Sequence, residues 1–296
     1  MLLAVMATLA LGGWGLHVMQ VQFRLELANR LGTGLDAMAA GLETWRSQRV
    51  REVQGWAAHD EVVAALDAAP GPGRAKALNH LDRELDFSCH AMGYLGYLLL
   101  DAQGRVLIPA GAPAPEAAEE REAVGAGRPW LTHPFLGRVQ DLPGTERPLI
   151  DVSAPVRNAR GGLAGVLVLR MPGDALSREL AGGQPGRTGE TLAFDRSGRL
   201  LSDSRFEDQV RGAGLIGSDP VKDRALLQLV LRDPGGDLVK GFKAPSAPGT
   251  WLLTRDVAQA VAGQRGEDLD GYRDYRGVLA VGAWRWVEGM DLGLTM

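Results

Sequence analysis

Asp101-Ala-Gln-Gly104-Arg105-Val106-Leu107 recurs as Asp195-Arg-Ser-Gly198-Arg199-Leu200-Leu201. Each copy follows an apolar run, Tyr97 to Leu100 and Thr191 to Phe194, so each reads as strand, tight turn and strand, with glycine supplying the unusual backbone angles. A second string also repeats. Arg160-Gly161-Gly162-Leu163-Ala164-Gly165-Val166 has a counterpart in Tyr275-Arg276-Gly277-Val278-Leu279-Ala280-Val281-Gly282. A chain that writes its hairpins twice predicts two related α+β modules in tandem.

Composition bounds what such modules can do. A length of 296 residues with 45% hydrophobic content is enough for two modest cores. The net charge of −4, with acids interspersed among the Lys and Arg residues, excludes a nucleic-acid partner. The single cysteine, Cys89, excludes an internal disulfide and any zinc site needing two or four thiolates, and reads as a small half-buried apolar residue. His-Glu-x-x-His, Gly-x-Ser-x-Gly and Walker-type phosphate loops are all missing, and the histidines His17, His59, His80, His90 and His133 are scattered. Asp268 and Asp270 read as solvated carboxylates in a Gly-rich loop. No catalytic residue, metal ligand or cofactor is assigned.

From Leu2 to Phe23 there is no charged residue, and Leu, Val, Met and Ala dominate. That length suits one bilayer crossing, so residues 1–23 are expected to form a transmembrane anchor. A cleaved signal peptide is the alternative, although no Lys/Arg n-region and no clear Ala-x-Ala site precede Arg24. A long stalk helix is predicted over 24–70. Ala28, Leu31, Leu35, Met38, Leu42 and Trp45 form a heptad-like seam, and Pro70-Gly71-Pro72-Gly73 ends the pattern. The seam suits packing on the protein's own sheets and also pairing with a second copy, and a homodimer is expected.

The first module is predicted over 75–171, with strands at Leu95–Leu100, Arg105–Ile108, around Trp130–Thr132, Leu149–Val156 and Leu163–Leu169. Between them Pro115 to Val124 reads as an acidic, solvated helix. Residues 172–187 form a connecting helix, Ala175 to Leu180, capped by Asp174, and a Gly-rich linker. The second module, 188–296, has a variable middle from Gly212 to Gly249 and closes with strands at Val278–Trp286 and Leu292–Met296. In it Ser202, Ser204 and Arg205 end a hairpin, with Arg205 expected on backbone carbonyls and Trp284 and Trp286 in the core.

The string from Gly186-Arg-Thr-Gly189-Glu190 to Ser204-Arg205-Phe206 resembles the opening of the membrane-proximal module of double Cache sensor domains, and Gly271-Tyr-Arg-Asp-Tyr275-Arg276-Gly277 to Trp284-Arg-Trp286 resembles its end. The resemblance covers nearly the whole chain. It implies two tandem PAS-like antiparallel-sheet modules behind a transmembrane helix and a stalk helix. The function it implies is that of an extracytoplasmic small-molecule sensor in a receptor of the histidine-kinase, chemoreceptor, cyclase or Ser/Thr-kinase type. Such a chain would sit in the inner membrane by a single visible span, with residues from about 24 onward outside the cytoplasm. In that family a second span and an output module follow the last strand, so a chain stopping at Met296 reads as lacking its output half. A ligand-free structural ectodomain and a secreted solute-binding protein are the alternatives.

The resemblance also points to a pocket. Arg128-Pro129-Trp130 matches the Arg-x-Trp part of the motif that amino-acid-binding members use on the ligand carboxylate, a task suited to a guanidinium fork. Two positions depart from that motif. Leu131 replaces the expected aromatic, and Arg170 stands where an acid would hold the amino group. The expected ligand is therefore a carboxylate or another small anion, with Arg128, Trp130, Asp151, Tyr97 and Tyr94 as candidate contacts.

Overall fold

No proline precedes Pro70, and in the computed structural model helix α1 runs unbroken over Leu2–Ala57. The structure describes residues 1–109, 122–123, 125–138, 146–220 and 222–296, with backbone alone for 2–10 and 109. The expected helix at Pro115 to Val124 lies almost entirely outside the described residues. Leu31, Leu35, Ala39, Leu42 and Trp45 are buried, followed further on by Val53 and Ala57. This is the seam read from the sequence, and it is consumed by the protein's own modules, against β5, β6 and β9 defined below. A second copy of the chain would need another face of the helix. Among the described residues no helix is long and apolar enough to cross a membrane.

The stalk is shorter above that point than the predicted 24–70. α1 ends at Ala57, a separate helix α2 occupies Asp60–Asp67, and α3 spans Pro72–Ala91. Pro72 opens α3 instead of merely ending its predecessor, because a proline in the first helical turn loses no hydrogen bond. Leu81, Leu85 and Cys89, four residues apart, form its buried face. Burial, aided by the charge of Asp86, pushes the Cys89 thiol up to about 12 from 9.0. A thiol-specific disulfide reagent at mildly alkaline pH should therefore label the native protein about a thousandfold more slowly than the unfolded chain. Equal rates in the two states would show that α3 does not cover this thiol.

Two antiparallel sheets follow. In the first, β1 (Gly96–Asp101), β2 (Val106–Pro109), β3 (Trp130–Leu131), β4 (Phe135–Gly137), β5 (Arg147–Arg157) and β6 (Leu163–Pro172) are ordered β2-β1-β6-β5-β3, with β4 also on β5. α4 (Ala175–Ala181) leads to the second, in which β7 (Leu192–Phe194), β8 (Gly266–Arg273), β9 (Leu279–Val287) and β10 (Leu292–Thr295) are ordered β7-β10-β9-β8. Leu200 bridges to Phe194 at its edge. Each sheet places its last strand between its first strand and its penultimate one, so the tandem repeat holds at the level of topology. Asp174 precedes α4 but bonds Arg178 at 2.8 Å instead of capping the helix.

The turns carry the repeat at atomic level. Asp101 Oδ1 accepts the N–H groups of Gln103 and Arg105, and Asp195 Oδ1 those of Ser197 and Arg199. The second repeated string uses the same device: Asn158 Oδ1 takes Arg160 and Gly162, and Asp274 Oδ1 takes Arg276 and Val278. Each loop passes through a glycine, Gly104, Gly161, Gly198 or Gly277, at φ of 78–79°. Topology separates the two strings, however. Asn158 joins the last two strands of its sheet, whereas Asp274 joins β8 to β9 and the last strand comes later. The second repeat is one of turn chemistry alone.

Strand β8 replaces the Gly-rich loop expected around Asp268 and Asp270. Asp268 is buried there, pairs with Arg255, and accepts the N–H groups of Asp270 and Gly271 where the register with β9 shifts. One core joins α1, α2, α3, the first sheet, α4 and the β9–β10 pair through Leu176, Val287, Leu292 and Met296. A second core within the second module contains Phe194, Val257, Trp284 and Trp286, as the alternation of the tryptophans with Arg285 predicts.

Candidate functional site

Register defines the two faces of the first sheet. Trp130 lies opposite Ser153, Ser153 opposite Val168, and Val168 opposite Leu98, while the adjacent row reads Asp151, Arg170, Gly96. Opposed residues of antiparallel strands share a face, so these residues line the side turned away from the helices. Val152, Leu169 and Tyr97 take the other side and join the core against the helices.

On the outer face Arg170 and Asp151 form a fully buried, bidentate pair, with Nε to Oδ1 at 2.8 Å and the second nitrogen to Oδ2 at 2.7 Å. Arg170 also donates to the Arg138 carbonyl at 3.3 Å and lies 5.6 Å from the centroid of the Phe135 ring. Burial pushes the Asp151 carboxyl above its ordinary range, against the lowering pull of the Arg170 guanidinium. Ser153 Oγ, in the next row, is buried and has no hydrogen-bond partner among the described residues. Such an orphan is a place for a polar atom.

The sequence candidates separate on this frame. Trp130 is half-buried beside Ser153, and Arg128 is exposed at the start of the same segment. Tyr94 and Tyr97 do not join them. Tyr94 Oη donates to Glu52 of α1 at 2.6 Å, and Tyr97 Oη to Asp82 of α3 at 2.6 Å. Burial and these carboxylates raise both phenols well above their ordinary value. Sequence reasoning placed Asp151 near Trp130, but it missed the pairing with Arg170 and the orphan Ser153, because both depend on the register of β5 with its neighbours.

A cavity of about 520 Å³ opens between the modules, lined by Trp45 and Arg46 of α1, the Trp130–Phe135 segment, Ile150, Leu176 and residues 288–292. His133 Nε2 lies 2.9 Å from the Met290 carbonyl, a contact between the modules at this cavity. A smaller cleft of about 250 Å³ beneath α4 is polar, with Ser177, Thr191, Ser202 and Arg205 among its walls. Next to it Glu190 accepts from Tyr275 Oη at 2.6 Å, Ser204 Oγ at 3.0 Å and the Arg205 N–H at 3.1 Å. Burial raises the Glu190 carboxyl in spite of these bonds. Arg205 donates to the carbonyls of Gly189 at 2.7 Å and Gly186 at 3.2 Å, the structural role expected of it. Among the described residues no group of His, Cys, Asp and Glu is arranged to hold a metal ion.

No family model and no curated protein matches the sequence. Solved structures do match the fold. The ligand-binding domain of the Campylobacter jejuni chemoreceptor Tlp3, in complex with L-valine, aligns with a TM-score of 0.53 over 93% of this chain and 94% of that one at 15% identity. That of the Pseudomonas fluorescens chemoreceptor CtaA, in complex with L-serine, aligns with a TM-score of 0.51 over 92% and 98% at 16% identity. The chain shares the fold of these ligand-binding domains. The sheet bearing the Asp151–Arg170 pair belongs to the first module and the sheet ending in β10 to the second. The long α1 is the helix that braces both. Asp36 of this helix binds Arg285 at 2.7 Å and Arg265 at 2.9 Å, which ties it to the second module.

Proposed function

We propose that this double Cache domain is the extracytoplasmic small-molecule-sensing part of a membrane receptor, with its ligand held on the outer face of the first sheet by Arg128, Trp130 and Ser153. The observation that carries this reading is the orphaned, fully buried Ser153 Oγ, which faces the same side of the sheet as Trp130. Asp151 and Arg170 neutralise each other, so among the described residues the pair leaves no free carboxylate there for a ligand amine. A carboxylate or other small anion fits better, with Arg128 supplying the charge. Tyr94 and Tyr97 are left out because their hydroxyls are already bonded on the helical side.

Membrane attachment through the start of α1 is part of the same reading. Leu11, Trp14, Leu16, Met19 and Phe23 are each more than half exposed, and an apolar phase around the helix would cover them. That arrangement fits a domain at the inner membrane with residues from about 24 onward outside the cytoplasm. A homodimer is proposed with it, meeting through a face of α1 other than the buried seam. Ligand binding would then favour one arrangement of the modules about α1.

A thermal-shift screen of carboxylates, amino acids, amines and sugars tests the reading. A carboxylate should raise the melting temperature of the parent, because it binds the folded state alone, and Arg128→Ala should remove the shift without lowering the melting temperature of the free protein. A stabilising ligand that acts equally on parent and Arg128→Ala would refute the placement. Silence across the whole set would favour a structural ectodomain.

A further inference from the structure

The cavity between the modules also carries a cationic group at its wall. Arg46 is half-buried at its wall, and its guanidinium makes no hydrogen bond or ion pair among the described residues. Glu288 and Asp291 also line the cavity, and Glu43 of α1 lies at its mouth. Asp291 is engaged by Arg196 at 2.6 Å, and Glu288 is exposed to solvent. The remaining walls are chiefly apolar, with Trp45, Ile150, Leu176 and Leu292 beside Arg46. A pocket of about 520 Å³ with largely apolar walls and few charged groups has the size and character of a small-molecule site.

We propose that this cavity is a second ligand site, specific for an organic monocarboxylate with an aromatic or branched aliphatic body. Arg46 receives the carboxylate through its two-pronged donor geometry, and the apolar body lies among Trp45, Ile150 and Leu176. Arg46 favours an anion over an amine, since an ammonium group would leave it unmatched and add a like charge beside it. The walls come from α1, from both modules and from α4, so an occupant touches every part that would have to move together. The site shares the Trp130 segment with the ligand placement on the outer sheet face but rests on Arg46, not on Arg128.

Titration calorimetry on the full chain tests this with hydrocinnamate and phenethylamine, which share a phenyl body and differ in the sign of the charge. Hydrocinnamate is expected to bind and phenethylamine not to. Arg46→Gln should weaken hydrocinnamate by about tenfold or more at an unchanged melting temperature. Gly289→Phe provides a second route. A Cβ at that cavity residue meets only Glu43 Oε1, at 3.7 Å, so a ring can be added at the mouth, and it should block binding. Hydrocinnamate binding that survives both Arg46→Gln and Gly289→Phe overturns the proposal, as does equal binding of the amine or no binding of hydrocinnamate. Binding lost in Arg128→Ala but kept in Arg46→Gln assigns the carboxylate to the outer sheet face and likewise overturns it.

Discussion

Replacing Arg170 with methionine is expected to destabilise the fold by about 3–5 kcal/mol at neutral pH, because it leaves the Asp151 carboxylate buried without its partner. The pair is sealed on adjacent central strands, with both side chains essentially inaccessible to water. The loss should depend on pH. In the variant only burial acts on Asp151, so its folded-state pKa rises further above the unfolded value of about 3.9. A carboxyl whose pKa is raised by folding destabilises as pH climbs through the unfolded value, since the unfolded chain sheds its proton first. The deficit of Arg170→Met should therefore be smallest in acid and grow towards neutrality. The double variant Asp151→Leu/Arg170→Met removes both charges and should recover most of the loss. Urea midpoints at several pH values read all of this. A single variant within about 1 kcal/mol of the parent at neutral pH, below the range for a severed buried pair, would mean that the pair is not sealed.

Four alanine substitutions in four chemically equivalent turns should give unequal losses. Gly104, Gly161, Gly198 and Gly277 share a left-handed backbone, and forcing any L side chain into it costs about 1–2 kcal/mol. At Gly104 and Gly161 that is the whole effect, because an added Cβ meets nothing within 4 Å. At Gly198 it would lie 2.5 Å from Leu253 Cδ2, a side-chain end that can yield. At Gly277 it would fall 1.8 Å from the Gly236 carbonyl oxygen, and the backbone there has to move. Gly277→Ala should therefore lose about 4 kcal/mol or fail to fold, with Gly198→Ala intermediate. Equal losses at all four would show that backbone strain alone matters and that the 234–236 loop does not rest on this turn.

Those turns explain how much of the fold was legible. A turn is written in a few adjacent residues, and the Asp-x-x-Gly pattern states its own hydrogen bonds, so the hairpins and the tandem plan follow from the sequence. α3 was hidden because Pro72-Gly73 reads as an ending, while a first-turn proline serves equally well as a beginning. β8 was hidden because Glu267, Asp268, Asp270 and Arg273 look like a solvated loop, and only pairing with β9 and the Arg255 contact make a strand of them. The site divides in the same way. Trp130 and the departure at Arg170 are visible in the chain, but the Asp151–Arg170 clasp and the orphaned Ser153 exist only once strands far apart in sequence are set side by side. Arg46 drew no attention because nothing local marks an arginine on a helix as lacking a partner.

The shared core of α1, the first sheet and the β9–β10 pair also bears on how this architecture can be re-engineered. The Gly182–Gly186 linker invites a cut or a graft, since it separates two units that read as self-contained. A module exchanged at that point would arrive without Leu31, Leu35 and Leu42 fitted to it, and without Leu176 and Leu180 on the other side of the join. Chimaeras of this domain should therefore carry α1 along with the module it was shaped against, or redesign both together.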